Sequence, residues 1–380
     1  TPAVPQTNEE YLFFADNGFE MQKRAQVLGL ITRYSKALCC AGTHGKTTTS
    51  SMLAHILHQS HLKVNAFLGG ILKNYGTNLI LSDESEFTVV EADEYDRSFH
   101  WLHPHMALIT SVDPDHLDIY GTEEEYVKSF EKFTSLIQPG GALVLKHGAR
   151  LDVQTNKDVK VYSYSLDKGD FHAQNIKIGN GEIIFDFVTP NEVVKSVHLG
   201  VPVKINIENG IGAMALAWLN GVGADELRNA MATFQGAKRR FDFLLKTDRV
   251  VFIDDYAHHP QELEASITSV RALYPDKKIT GVFQPHLYTR TRDFVDEFAK
   301  SLSLLDELIL LDIYPARELP IEGVTSQIIF DKVTCRKTLC RKEDLLDLLK
   351  NKTDIEVLLT IGAGDIDQLL GQIKTILEDK

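Results

Sequence analysis

Residues 36 to 54, KALCCAGTHGKTTTSSMLA, pass from a short apolar stretch through a glycine turn into helical spacing, and no other segment restricts the fold as much. After a strand, a turn closing on Gly45-Lys46-Thr47-Thr48 offers backbone N–H groups and the positive end of the next helix to a polyphosphate. Lys46 can reach the outer phosphates, and Thr47 can offer its hydroxyl to Mg2+. Met52, Leu53, Ile56 and Leu57 recur behind it at helical spacing. The common form of such a loop has glycine six residues before the lysine. Cys40 stands there, so the loop is the tighter string Gly42, Thr43, His44, Gly45, Lys46, Thr47. With Thr48 these residues are expected to bind ATP or GTP; the alternative is a structural turn with an incidental lysine.

The surrounding chain of 380 residues is long enough for two or three domains. Its 53 acidic and 40 basic residues give a net charge of −13, which argues against a broad nucleic-acid or anionic-membrane surface and makes any phosphate site local. No apolar stretch approaches the ~20 residues of a membrane helix and no signal-peptide pattern is present, so the expected compartment is the cytoplasm. Four cysteines make no disulfide framework in a chain this long; Cys39 and Cys40 read as small core residues. His100, His103 and His105 read as surface or packing residues, since Pro104 interrupts the pair and no acid partner is evident.

Strand and helix alternate from 36 to about 150. Phe87 to Val90 lead into Glu91-Ala92-Asp93-Glu94, Met106 to Val112 lead into Asp113-Pro114-Asp115-His116, and Glu123 to Leu136 are helical. This pattern predicts a parallel sheet delivering its loops to one edge. Glu91 and His116 lie just past two of its strands: Thr47 and Glu91 suit Mg2+, and His116 suits a second metal site, although acids after strands also serve as turn and cap residues. Residues 159 to 205 read as short antiparallel strands with a Gly-Asn-Gly turn, and 206 to 233 as helix. Beyond the basic link at 234 to 241, four apolar runs break into DDYAHHP, QPHLYTRTRD, DIYPARELP and GAGDID. Two of these loops carry acids, a phenol, imidazoles and arginines suited to an anionic substrate. The expectation is therefore an α/β chain: a central P-loop-type parallel-sheet domain (36–236) with a small antiparallel appendage, then a C-terminal Rossmann-like α/β domain (237–380).

The strings AGTHGKTTT, VVEADEYDRSF, Asp115-His116-Leu117-Asp118, Asn206 with Asn209, KRRFD, DDYAHHP, QPHLYTRTRD and GAGDID together resemble the Mur ligases, the ATP-dependent amide ligases of peptidoglycan precursor synthesis. The resemblance runs over almost the whole chain. It implies three domains, with a UDP-binding domain expected before Thr1 and residues 1–35 linking to it. It implies that Lys46 and Thr47 serve ATP and Mg2+, that Glu91 and His116 are metal ligands, and that Asn209 meets the adenine. Arg240, Asp255 and Tyr256 are implied to face the nucleotide. His258, His286 and Arg290 are implied to face the other substrates, UDP-N-acetylmuramate and L-alanine, with Lys46, His116, His258, His286 and Arg290 as the catalytic set. Leu287 stands where the family commonly has arginine, and Ile205 where a histidine often precedes the asparagine. The implied reaction phosphorylates the lactyl carboxylate, and the alanine amine then displaces phosphate. A monomer or homodimer is expected, with no nucleic-acid or membrane partner. A ligase attaching a recycled peptide, an inactive ATP-binding fragment and an NTPase switch remain the alternatives.

Overall fold

Two parallel-dominated sheets carry the chain, each feeding its loops to the carboxyl ends of its strands. The structure is a computed structural model that describes residues 4–5, 7–179, 181–316 and 318–379. Asn180, in the expected Gly-Asn-Gly turn, and the Asp118 side chain lie outside the described residues. Two compact units are present: Thr1–Asn175, Phe185–His198 and Ile207–Phe234 form the first, and Ile176–Ile184, Leu199–Asn206 and Gln235–Lys380 the second.

In the first unit, strands β1 (Lys36–Ala41), β2 (Asn65–Leu72), β3 (Thr77–Ile80), β4 (Phe87–Glu91), β5 (Pro104–Ile109), β6 (Ala142–Lys146) and β7 (Lys160–Tyr164) form a sheet of order β3-β2-β4-β1-β5-β6-β7. All its pairs are parallel except β2 with β3. Central β1, with the run ALCCA buried to its end, is apolar on both faces, as a strand covered on both sides must be. Cys39 and Cys40 are fully buried there, and burial pushes both thiols up. The helix Glu123–Ser135 shows why a local sequence takes its place. Thr122 caps it by accepting from the Glu125 N–H at 3.2 Å, and three glutamates fill its first turn. Tyr126, Phe130 and Phe133 then fall on one face and bury against Phe99 and Ile109, each contributing roughly 2–3 kcal/mol.

One sequence expectation is corrected here. The segment VKVYSYSL was expected to belong to the antiparallel appendage, yet β7 pairs in parallel with β6 and extends the main sheet. Its connector carries Leu151 and Val153 onto the core, and it is long enough to return the chain to the starting edge. The appendage is the three-stranded sheet of β8 (His172–Gly179), β9 (Glu182–Val188) and β10 (Val193–His198), in order β10-β9-β8. The helical stretch after it is two helices, Lys204–Leu219 and Ala224–Thr233, parted where Gly221 takes φ +95°.

The second unit holds β11 (Asp242–Lys246), β12 (Val251–Asp255), β13 (Ile279–Phe283), β14 (Glu307–Leu310), β15 (Arg336–Leu339) and β16 (Val357–Ile361) in the order β11-β12-β16-β13-β14-β15. Only β11 runs antiparallel to its neighbour. The four loops singled out in the sequence leave the carboxyl ends of β12, β13, β14 and β16, the edge where open α/β sheets bind ligands. Among the described residues no helix is long and apolar enough to cross a membrane.

Candidate functional site

Strand β1 ends at Ala41, and the helix Lys46–Gln59 begins five residues later with Gly45 as its N-cap at φ +80°. Gly45 supplies no capping side chain and the first turn has no acid, so the first-turn N–H groups stay open to an anion. Glycine is required here for space as well as dihedral. A Cβ on Gly45 would lie 2.7 Å from Asn209 Oδ1, and one on Gly42, at φ +132°, would lie 2.1 Å from Thr110 Oγ1. Asn209, 8% exposed on the helix Lys204–Leu219, is thus placed against the loop. The loop is braced from β5: the Thr110 hydroxyl donates to the His44 carbonyl, and the His44 N–H donates to Ser111 Oγ at 3.0 Å. Thr43 Oγ1 reaches the Asp113 carbonyl at 2.6 Å and the Tyr126 hydroxyl at 2.8 Å.

The Lys46 ammonium folds back over this loop and donates to the Gly42 carbonyl at 2.6 Å, the Thr43 carbonyl at 3.2 Å and Glu94 Oε1 at 2.8 Å. Thr47 Oγ1 donates to Glu91 Oε1 at 2.9 Å, while Glu91 Oε2 accepts from the Gly69 N–H at 3.0 Å. A Cβ on Gly69 would fall 2.4 Å from that carboxylate, so strand β2 needs glycine there for Glu91 to reach Thr47. The structure therefore brings Thr47 and Glu91 together. His116 takes φ +53° and sets Nε2 3.9 Å from Glu94 Oε1, against the edge of the Tyr95 ring. Glu94 is 1% exposed; burial pushes its carboxyl up, and Lys46 pulls it the other way. Among the described residues its Oε2 has no hydrogen-bond partner.

Sequence reasoning missed Glu94 and Gly69. Glu94 belongs to the string EADEYD, but nothing in a string says which of its acids is buried. Gly69 carries no side chain to notice, although paired glycines inside an apolar strand mark a close approach. Thr48 sits in the first helical turn. His100 is a packing residue as expected, stacked on Phe99 and bonded to the Ser129 carbonyl at 2.9 Å.

Among the described residues no three or more His, Cys, Asp or Glu side chains cluster to hold a metal ion. The oxygens of Thr47 and Glu91 nevertheless fit Mg2+, which uses one or two carboxylates and completes its octahedron with phosphate and water. The open helix end and the glycine cradle fit a polyphosphate.

In the second unit, Arg239 takes φ +61° and donates to the Gly362 carbonyl at 2.5 Å and to buried Asp254 at 3.4 Å. Burial pushes Asp254 up to about 6, against Thr360 and Arg239. The guanidinium groups of Arg239 and Arg240 lie 5.0 and 5.3 Å from the centre of the Tyr256 ring. Asp255 accepts from the Phe241 N–H at 3.4 Å, and burial raises its pKa. His258 holds the Tyr256 carbonyl at 3.0 Å and lies 6.2 Å ring to ring from His286. His286 Nδ1 accepts from Arg290 at 3.3 Å and stacks on Tyr314. Arg240, Asp255, Tyr256 and His258 thus share one loop cluster with Arg239, which the sequence reading passed over. His286 and Arg290 meet one turn apart, and Leu287 between them takes φ +71°.

Two family models match: the Mur ligase middle domain over residues 40–217 and the Mur ligase, glutamate ligase domain over residues 239–364. The UDP-N-acetylmuramate--L-alanine ligase of Phocaeicola vulgatus is 62% identical over 382 residues, covering 100% of this chain and 83% of its own length. Among solved structures, the UDP-N-acetylmuramate-alanine ligase from Thermotoga maritima superposes with a TM-score of 0.83 at 25% identity, covering 100% of this chain and 84% of its own. A second Thermotoga maritima enzyme of this fold, at TM-score 0.72 and 18% identity over 95% of this chain and 86% of its own, was solved in complex with ADP.

Proposed function

The chain belongs to the Mur ligases, and from that premise we propose that it joins L-alanine to the lactyl carboxylate of UDP-N-acetylmuramate at the expense of ATP, in peptidoglycan precursor synthesis. The observation carrying this reading is the loop at 42 to 48: a glycine cradle and an open helix end, with Lys46 beside it and Thr47 tied to Glu91.

A carboxylate is a poor electrophile toward an amine, so the lactyl oxygen first attacks the γ-phosphorus and ADP leaves. The alanine nitrogen then attacks the acyl carbon of the acyl phosphate and loses a proton as the amide forms and inorganic phosphate departs. Catalysis of such a transfer is mostly positioning and charge neutralisation. Lys46 can leave its loop carbonyls for the phosphates without moving its backbone, and the first-turn N–H groups bind the same anion. Thr47 and Glu91 would hold Mg2+, with His116 as a further ligand, and the ion supplies charge neutralisation when bound. Asn209, Arg240, Asp255 and Tyr256 serve the nucleotide. His258, His286 and Arg290 serve the carboxylate and amine substrates, with the Arg290 fork suited to a carboxylate or acyl phosphate.

The test is phosphate release by the protein supplied with ATP, Mg2+, UDP-N-acetylmuramate and an amino-acid and peptide panel. Release should require both the sugar nucleotide and L-alanine and should vanish in Lys46→Ala. Release indifferent to both would mean a simple nucleotide hydrolase, and release driven by peptide would mean a peptide-attaching ligase.

A further inference from the structure

The ammonium of Lys46 has three protons, and its three acceptors are two carbonyls of its own loop and one carboxylate from beyond β4. Those carbonyls are neutral; the carboxylate is not. Glu94 cannot follow Lys46 outward, because its backbone is pinned. Its carbonyl accepts from the Tyr120 hydroxyl at 2.5 Å and from the Arg97 N–H at 2.9 Å. When Lys46 turns to a phosphate, Glu94 stays behind with 1% of its surface exposed, an Oε2 that has no hydrogen-bond partner among the described residues, and His116 Nε2 at 3.9 Å from Oε1. A buried carboxylate stripped of its cation is costly unless another cation arrives.

Building on the nucleotide-binding reading above, we propose that Glu94 is a positioning residue that holds Lys46 against its loop carbonyls and makes nucleotide binding conditional on a divalent cation. Without the cation, ADP must take Lys46 from Glu94 and leave that charge unpaired. With it, positive charge on the Glu91 side of the loop restores the balance. A carboxamide at 94 keeps the shape of the side chain but reduces the hold to a hydrogen bond onto a neutral acceptor and removes the residual charge.

Calorimetric titration of ADP into the wild type and Glu94→Gln, with Mg2+ and in chelator, reads this directly. Releasing a charged hydrogen bond should let Glu94→Gln bind Mg2+-free ADP about tenfold more tightly than wild type. The ratio of Mg2+-free to Mg2+-bound dissociation constants should shrink by about the same factor. An unchanged ratio in a variant with wild-type melting behaviour overturns the proposal, and so does equal weakening in both conditions, the outcome of a purely structural role. If Glu94→Gln does not fold, Glu94→Asp, whose shorter arm loosens the hold, is read the same way. It supports the proposal if Mg2+-free ADP binds more tightly than in wild type and overturns it otherwise. Wild type that binds ADP in neither condition would instead overturn the nucleotide reading.

Discussion

A methyl group at position 69 would meet Glu91, and the consequence is specific. Gly69→Ala puts a Cβ 2.4 Å from the Glu91 carboxylate, which must swing away from Thr47, while Lys46, Glu94 and the helix end stay where they are. With Glu91 as the Mg2+ ligand proposed above, such a displacement costs roughly 100-fold in turnover. The expected result is a large fall in kcat with a raised Mg2+ requirement in an Mg2+ titration, and little change in Mg2+-free ADP affinity. A second residue-scale prediction concerns His55, 1% exposed, which bonds Tyr75 at 2.7 Å and Thr233 at 3.0 Å beside His58. Burial pushes its pKa down from 6.5 to about 4, and the nearby His58 is lowered too. The folded form therefore binds fewer protons than the unfolded one. The stability His55 contributes is whole above the unfolded value of 6.5 and is lost as pH falls toward the folded value near 4. Urea midpoints of wild type should drop between about pH 7 and pH 5 more steeply than those of His55→Gln.

At the scale of elements, the turn from β13 into the helix Tyr288–Asp293 is held from outside itself. The helix has no side-chain cap of its own. Glu318, on the loop after β14, accepts from the Thr289 N–H at 3.0 Å and the Thr289 hydroxyl at 2.5 Å. Those donors hold the Glu318 carboxyl below its usual range. His286 also bridges Tyr314, so two loops fix the pitch of Arg290. Glu318→Gln should leave the sheet intact and lower kcat/KM for the amino acid roughly tenfold through the misplaced helix, measured by phosphate release against L-alanine concentration. These elements also show what could be read in the sequence. The runs at 87, 279 and 357 became strands because short stretches rich in β-branched, aliphatic and aromatic residues bounded by polar loops have few other uses, and the loop at 42 was legible because glycine, lysine and threonine are spaced by phosphate geometry. Strands β2, β3, β11 and β15 were not legible, since they are half-exposed and their patterns are mixed. Glu94, Glu318 and Arg239 were missed for one reason: burial and partner choice arise from chain segments far apart in sequence, as the separation of 48 positions from Lys46 to Glu94 shows.

For the whole molecule, each unit has its own sheet and its own buried cluster, around Phe99, Phe130 and Phe133 in one and around Phe252, Leu358 and Ile373 in the other. Cooperativity follows shared apolar contact, so two cores predict two unfolding events. The sequence supplies a convenient reporter, because its two tryptophans, Trp101 and Trp218, both lie in the first unit. Tryptophan fluorescence therefore follows that unit, whereas far-ultraviolet circular dichroism follows both. Phe130→Ala opens a cavity in the first core and should cost about 3–5 kcal/mol there, moving the fluorescence transition to lower urea. Leu358→Ala, at the second position of β16, should cost about 2–5 kcal/mol in the other core. It should split the dichroism curve and leave the fluorescence midpoint where it was. A fluorescence midpoint that falls equally in both variants would show the two cores melting as one block, and the division into separately stabilised units would then be wrong.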